Sequence, residues 1–201
     1  MTAVSLYRSF GKRGLDVGLS LAGLAFFALP MIWMGWRVRR ESGGPVFFRQ
    51  LRLGYQGHPF YLLKFRSMTP QGEVTPFGER LRAAAMDELP QLLNILKGEM
   101  SFVGPRPLIP SELEELMQFP GGKRRWDMRP GLTGLAQIHA AKRPPPLSER
   151  LGWDLQYLSR CGLAADLRIL FRSLGISLAG GWEKPVEKAA AARRETSTCL
   201  P

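Results

Sequence analysis

An uncharged run of twenty residues near the N-terminus limits what this chain can fold into more than any other feature. Val17 to Trp36 reads VGLSLAGLAFFALPMIWMGW. At about 1.5 Å per residue, a helix of this length just crosses a hydrocarbon core about 30 Å thick. The run has basic residues on both sides: Lys12, Arg13, Arg37, Arg39 and Arg40. It therefore predicts a membrane-embedded helix.

Three arrangements of this helix are considered. A cleavable signal peptide is disfavoured because no small-residue cleavage site precedes the aromatic-rich end. A spanning helix would place one basic flank on the far side of the membrane, whereas positive charge marks the cytoplasmic side. Pro30 is also expected to break or kink the helix. A re-entrant hairpin, which bends at Leu29-Pro30 and returns to the face it entered, satisfies both observations.

The charge of the chain indicates an anionic partner. Lys and Arg number 28 against 17 Asp and Glu, a formal net charge of +11 in 201 residues. Nucleic acid, anionic lipid and a phosphorylated substrate all fit such an excess. The sequence shows no RNP, helix-turn-helix or zinc-finger pattern, and nucleic-acid-binding proteins do not usually contain an uncharged run of this length. We therefore predict that nucleic acid is not a partner. With two histidines, a histidine-rich zinc site is also disfavoured.

Two extended segments follow, residues 46–53 and 60–68, around a turn. The second alternates cations with apolar residues: Tyr61, Leu63, Lys64, Phe65 and Arg66. A strand here would project Lys64 and Arg66 from one face and bury the aromatic residues on the other. The two cations are candidate phosphate ligands, with a basic solvated strand face as the alternative.

The stretch from Arg82 to Pro107, RAAAMDELPQLLNILKGEMSFVGPRP, concentrates the chemistry. Pro90 suits the first turn of a helix and Gly98 suits its end, so the paired acids Asp87 and Glu88 are expected at or just before a helix N-terminus. The alternative is a helix that starts earlier and kinks at Pro90. Acids at a helix N-terminus are often only capping groups, whereas paired carboxylates beside fixed guanidinium groups indicate phosphate chemistry.

Two rigid Gly/Pro elements each carry an arginine. GPRP holds Arg106, and RPGLTGLAQ begins with Arg129 and ends with Gln137. Glycines in such elements can admit close approach of the backbone to a ligand, whereas Gly/Pro turns are more often structural. The candidate phosphate-binding cations are Lys64, Arg66, Arg82, Arg106 and Arg129.

The C-terminal half is predicted to be helical. A helix from Ser148 precedes a second one, Leu163 to Leu178, whose apolar residues recur at helical spacing beside a basic face. The second helix either lies in the membrane interface or covers the core. We therefore predict a mostly helical α+β protein with a re-entrant membrane helix at 1–40, a catalytic domain at 41–180 and a disordered tail at 181–201.

Three of these segments occur in an order that identifies a family. GGPVFFRQLRLGYQGHPFYLLKFRSM, LRAAAMDELPQLLNILKGEMSFVGPRP and MRPGLTGLAQ resemble the bacterial sugar transferases, the monotopic phosphoglycosyl transferases that initiate glycoconjugate assembly. The likeness runs from about Arg8 to about Leu174, and the short chain resembles the minimal form of the family. Two departures are Leu29, where the family has serine before the proline, and Ile138-His139-Ala140, where it often has Asn-Gly-Arg.

The resemblance implies an activity. Members move a phospho-sugar from a UDP-sugar to polyprenyl phosphate and release UMP, by a ping-pong mechanism with Mg²⁺ and a covalent phospho-sugar on an aspartate that matches Asp87. Glu88 would support the metal or deprotonate the lipid phosphate, while Arg106, Arg129 and Gln137 would bind substrate. The enzyme would lie on the cytosolic face of the bacterial inner membrane.

Some questions stay open at this point. The alternative function is a non-enzymatic basic protein that binds anionic membrane surfaces. The sequence leaves open the sugar, the polyprenol length and the oligomeric state, including a homodimer.

Overall fold

The computed structural model describes residues 7–141 and 145–179, which are mostly helical with two small sheets. The predicted α+β class is confirmed, and the predicted tail at 181–201 lies outside the described residues. The helices are α1 (Lys12–Ser42), α2 (Pro76–Ala83), α3 (Gln91–Lys97), α4 (Leu113–Gln118), α5 (Leu135–His139), α6 (Leu147–Arg160) and α7 (Leu163–Leu178). The strands are β1 (Phe47–Leu53), β2 (Pro59–Phe65), β3 (Ser101–Val103) and β4 (Gly131–Thr133).

Helix α1 contains the whole apolar run. It has 31 residues, continues through Pro30 and ends where Gly43 adopts a left-handed conformation at φ 64°. By length and composition it could cross a membrane, and 11% of its most apolar part is buried in the protein. Several large apolar side chains on it are exposed: Leu21, Phe26, Leu29, Ile32, Trp33 and Trp36. The middle of α1 therefore contributes little to the protein core.

Both ends of α1 contact the rest of the fold through polar side chains. Near its start, Asp16 accepts hydrogen bonds of 3.0 Å from the backbone N–H of Phe102 and the Ser101 hydroxyl. Near its end, Glu41 accepts one of 3.0 Å from the backbone N–H of Phe77. The two ends of the helix thus lie against one folded unit.

The first turn of α1 is also joined to the last helix. Lys12 is buried, and its Nζ lies 2.5 Å from an oxygen of Asp166 on α7. The hydroxyls of Tyr7 and Tyr157 donate to the same carboxylate at 2.7 and 2.6 Å. A buried carboxylate with a cation and two donors has its hydrogen-bonding capacity largely satisfied, so this contact can be both dry and stable.

The two predicted extended segments are confirmed and form an antiparallel β-hairpin. Strands β1 and β2 pair antiparallel, from Phe47 opposite Phe65 to Leu53 opposite Pro59. Phe60 and Leu62 are buried in the apolar cluster that includes residues of α3, and Tyr61 between them is 60% exposed. The expectation that Tyr61 is buried is wrong because successive side chains of a strand alternate in direction, and here the even-numbered positions face α3.

The two Gly/Pro elements pack against each other. Strands β3 and β4 pair parallel, with Ser101 opposite Gly131 and Val103 opposite Thr133. A Cβ added to Gly131 would lie 2.1 Å from the backbone nitrogen of Gly104, and one added to Gly134 would lie 2.1 Å from the Gly104 carbonyl oxygen. These glycines admit a neighbouring backbone, in agreement with the structural interpretation of the Gly/Pro turns.

Candidate active site

The paired acids lie on a short turn between two helices. Met86–Glu88 forms one turn of 3-10 helix after α2, and α3 begins directly after Pro90 and ends at Gly98, whose φ is 88°. The prediction that the acids lie just before a helix N-terminus is confirmed, and the alternative of one continuous helix is excluded. Ala85 enters the turn with φ 54°, a left-handed conformation that non-glycine residues rarely adopt and that often marks functional sites.

Lys64 contacts both acids. Its Nζ lies 2.5 Å from Oε1 of Glu88 and 4.0 Å from Oδ2 of Asp87. Burial and, to a smaller extent, the neighbouring Glu88 raise the pKa of Asp87 to about 6, although Lys64 and Arg82 oppose the rise. Burial also tends to raise the pKa of Glu88, but Lys64 and Arg106 outweigh it and hold that pKa below its usual value. Environments that separate the pKa values of two carboxyl groups generally give them different roles.

A buried amide fixes the strand that carries Lys64. Asn94 on α3 accepts a hydrogen bond from the backbone N–H of Leu63 at 3.0 Å and donates one to the Tyr61 carbonyl at 2.8 Å. These bonds tie β2 to α3, so Lys64 and the acids keep their relative positions. Sequence reasoning missed Asn94; its signal was a polar side chain inside the apolar stretch from Leu92 to Leu96.

The acids open into a cavity of about 1120 Å³ that holds most of the predicted site. Seven of the predicted residues line it: Lys64, Arg66, Arg82, Asp87, Glu88, Arg106 and Gln137. Among the residues that the structure describes, Arg129 does not line this cavity. Its Nε donates to the Gly98 carbonyl at 2.8 Å, and its guanidinium lies 5.3 Å from the centre of the Tyr55 ring. Arg129 thus holds the end of α3 in this structure.

Three charged residues outside the predicted site also line the cavity: Arg125, Arg150 and Asp154. Arg125 and Asp154 are both buried and form an ion pair of 2.8 Å between Nη2 and Oδ2. Burial raises the pKa of Asp154 to about 6, although Arg125 opposes the rise. The signal in the sequence was weak, since Arg125 belongs to a run of cations before Trp126 and Asp154 lies in an ordinary amphipathic helix.

The arrangement favours an anionic ligand. Six cationic side chains and three carboxylates line the cavity among the described residues. Several cations that converge on one cavity attract phosphate groups, and arginine side chains can bind phosphate oxygens in pairs. The cavity can therefore neutralise a phosphorylated molecule beside the carboxylate of Asp87.

The acids also fit a magnesium ion. Within the described ranges, no group of three or more His, Cys, Asp or Glu residues is placed to hold a metal. Mg²⁺ commonly takes one or two carboxylates from a protein and completes its shell with water and substrate phosphate. Asp87 and Glu88 supply such a pair. Because Lys64 contacts both carboxylates, the ion would bind next to the Lys64 ammonium group.

The comparisons with known proteins agree with the chemistry of the cavity. The sequence model of the bacterial sugar transferases matches residues 7–180. A UDP-glucose:undecaprenyl-phosphate glucose-1-phosphate transferase of Caulobacter vibrioides is 38% identical over 181 residues, covering 81% of this chain and 68% of that protein. The exopolysaccharide production protein ExoY of Rhizobium meliloti is 34% identical, covering 86% of this chain and 87% of that protein.

A relative named for a different sugar is also similar. The galactosyl transferase CpsE of Streptococcus agalactiae is 32% identical, covering 84% of this chain and 42% of that protein. Because the family model covers most of the sequence and the relatives match over most of its length, this chain belongs to the bacterial sugar transferase family.

Proposed function

We propose that this protein is a phosphoglycosyl transferase that moves a sugar 1-phosphate from a UDP-sugar to polyprenyl phosphate, such as undecaprenyl phosphate, and releases UMP. The observation that carries the proposal is the buried Asp87, next to Glu88 and Lys64 at the edge of a cationic cavity. Membership of the family supports it, as does the relative named for this activity with glucose as its sugar.

The reaction divides into two displacements at phosphorus. In the first, a carboxylate oxygen of Asp87 attacks the phosphorus that bears the sugar, the bond to the bridging oxygen breaks, and UMP leaves. In the second, a phosphate oxygen of the polyprenyl phosphate attacks the same phosphorus, and Asp87 leaves as a free carboxylate. A covalent step of this kind lets the soluble donor depart before the lipid acceptor arrives.

The cations around Asp87 supply the electrostatic part of this mechanism. Lys64, Arg82 and Arg106 would bind phosphate oxygens and stabilise the charge that the leaving UMP acquires, which is the main source of catalysis in phosphoryl transfer. The lowered pKa of Glu88 makes it a poor base, so we assign it to orienting Lys64 and supporting the metal. Mg²⁺, held by Asp87 and Glu88, would supply further charge neutralisation at the diphosphate.

The test is a panel of UDP-sugars offered to the full-length protein in detergent with Mg²⁺. Without acceptor, intact-protein mass spectrometry should show an increase equal to one sugar phosphate, together with about one equivalent of UMP. Addition of polyprenyl phosphate should remove the adduct and restart UMP release. The proposal is wrong if no sugar yields an adduct and none yields UMP with the acceptor present. The sugar that reacts fastest identifies the donor.

We also propose that α1 enters and leaves the cytosolic face of the bacterial inner membrane. Asp16 and Glu41, at its two ends, both bond to the one folded unit, which a helix spanning to the far side would not allow. Helix α7 would make a second contact with the membrane, because it exposes an apolar stripe at helical spacing: Leu163, Leu167, Phe171, Leu174 and Leu178. Such a stripe beside exposed arginines suits the membrane interface.

This topology predicts that both ends of α1 are accessible from the cytosol alone. Gly14→Cys and Arg39→Cys place a thiol at exposed positions before and after the apolar run. In a Cys199→Ser background, where the remaining Cys161 is buried, a membrane-impermeant maleimide should label both variants in inside-out vesicles and neither in spheroplasts. The background without an added cysteine is the control. A spanning helix would give labelling of the two positions from opposite sides.

A further inference from the structure

A second set of polar residues lines the cavity and has no part in the displacements described above. We call Arg125, Thr133, Gln137 and Asp154 the inner polar cluster. All four are more than nine-tenths buried, and all four line the cavity that contains Asp87. The cluster is connected to the phosphate-binding region, because Nη2 of Arg125 donates to the Arg106 carbonyl oxygen at 2.8 Å.

Four side-chain polar atoms in this cluster lack a protein hydrogen-bond partner. Within the described part of the chain, no hydrogen bond reaches Nη1 of Arg125, either amide atom of Gln137, or the hydroxyl of Thr133. Buried polar atoms are almost always hydrogen-bonded, and each one left without a partner is destabilising. Because the side chains line the cavity, the missing partners are expected to come from whatever occupies it.

The character of the cluster indicates the chemistry of that occupant. Asp154 neutralises Arg125, so the cluster carries no net charge and differs from the cationic region around Asp87. It offers donors from Arg125, both a donor and an acceptor from Gln137, and a hydroxyl that does either. An ionised phosphate only accepts hydrogen bonds, whereas each hydroxyl of a sugar both donates and accepts. A nucleobase would favour an aromatic surface for stacking, and the cluster has none.

We propose that the inner polar cluster binds the hydroxyl groups of the transferred sugar and thereby determines which UDP-sugar is accepted. The inference rests on the proposed function, because it needs a sugar attached to the phosphate that Asp87 attacks. In this proposal the two halves of the donor bind to different residues. The cations near Asp87 bind the diphosphate, and the inner polar cluster binds the sugar. A site that hydrogen-bonds a hydroxyl discriminates strongly against a substrate that lacks it or presents it differently, because its own buried groups then stay unpaired.

The experiment uses Thr133→Val and Gln137→Met, which keep side-chain size and remove the polar atoms. In the full-length protein we compare kcat/KM for the two UDP-sugars that the wild type distinguishes most, together with the inhibition constant of UMP. Each variant should lose roughly 10- to 100-fold in kcat/KM for the preferred sugar, and the ratio between the two sugars should fall by at least about tenfold. The inhibition constant of UMP should stay within about twofold.

The control is Gln118→Met on the exposed face of α4, which should leave the ratio and the UMP constant unchanged. An equal loss for both sugars, or a loss of UMP affinity, would assign the cluster to the nucleoside or to stability and overturn the inference. Unchanged kinetics in both variants would mean that water, and not the sugar, occupies the cluster, and would contradict the inference. A wild type that uses all UDP-sugars equally well would also contradict the inference. A wild type that releases UMP from no sugar would instead overturn the proposed function, and the inference with it.

Discussion

Replacing Asp87 by asparagine is expected to abolish the phospho-sugar adduct and to lower kcat by about 10³-fold or more, because an amide cannot act as the nucleophile. The same change should stabilise the protein. The folded state holds the pKa of Asp87 near 6 against an ordinary value of 3.8, so it prefers the protonated form, and that preference is lost as pH rises from about 4 through 6. Above pH 6 the ionised carboxyl costs about 3 kcal/mol of the free energy of unfolding, and asparagine removes this cost.

The two effects are measured by intact-protein mass spectrometry and by thermal unfolding in detergent at pH 4 and pH 7.5. Asp127→Asn, at an exposed position, is the matched control and should change neither. A variant that loses activity and also unfolds at a lower temperature would indicate a structural role. Unchanged turnover in Asp87→Asn would show that Asp87 is not the nucleophile. A wild type without turnover, whose binding to anionic membranes is unchanged in Asp87→Asn, would favour the alternative of a basic protein that only binds such membranes.

After Asp87→Asn, Lys64→Met should cause the largest loss of catalytic activity. Lys64 is the strongest of the charges that oppose protonation of Asp87, and it also pairs with Glu88. Its loss removes a phosphate-binding cation, so kcat/KM for UMP release should fall by about 10²- to 10³-fold. It should also raise the pKa of Asp87, because the two acids then repel each other without a cation between them.

The pH profile separates this role from a merely structural one. In the wild type, kcat/KM should rise with pH through a midpoint near 6, the pKa of Asp87 in the free enzyme. In Lys64→Met this midpoint should move upward by about one pH unit. Lys97→Met, an exposed lysine on α3, should keep the midpoint of the wild type. A midpoint that stays near 6 in Lys64→Met would show that this lysine does not act on Asp87 during the reaction.

The local features of the fold were predictable from the sequence. The apolar run specified a helix of membrane length, although not its continuation through Pro30. The alternation around a turn specified β1 and β2, and Pro90 with Gly98 bounded α3. Each of these follows from residues close together in the chain, for which periodicity and capping rules apply. The acids and the cations of the cavity were found because they lie within motifs that the family shares.

The features that the sequence did not reveal depend on distant partners. Arg129 was assigned to phosphate because of its motif, yet its guanidinium holds the carbonyl of Gly98, 31 residues away. The ion pair between Arg125 and Asp154 joins a turn to a later helix, and no local pattern indicates that the two meet. For the glycines of the two Gly/Pro elements, the sequence left a structural and a ligand-binding role open, because it does not show that the elements pack together.

The buried contact between Lys12 and Asp166 has a consequence for how the protein is made. A ribosome releases the apolar helix first, whereas the carboxylate that neutralises Lys12 is synthesised 154 residues later. Until then the lysine is surrounded by water or lipid headgroups, so we expect the proposed insertion of α1 into the bilayer to precede folding of the portion that contains Asp166. Nascent chains arrested before residue 166 should therefore be membrane-bound and sensitive to protease, and resistance should appear only after the last helix has emerged.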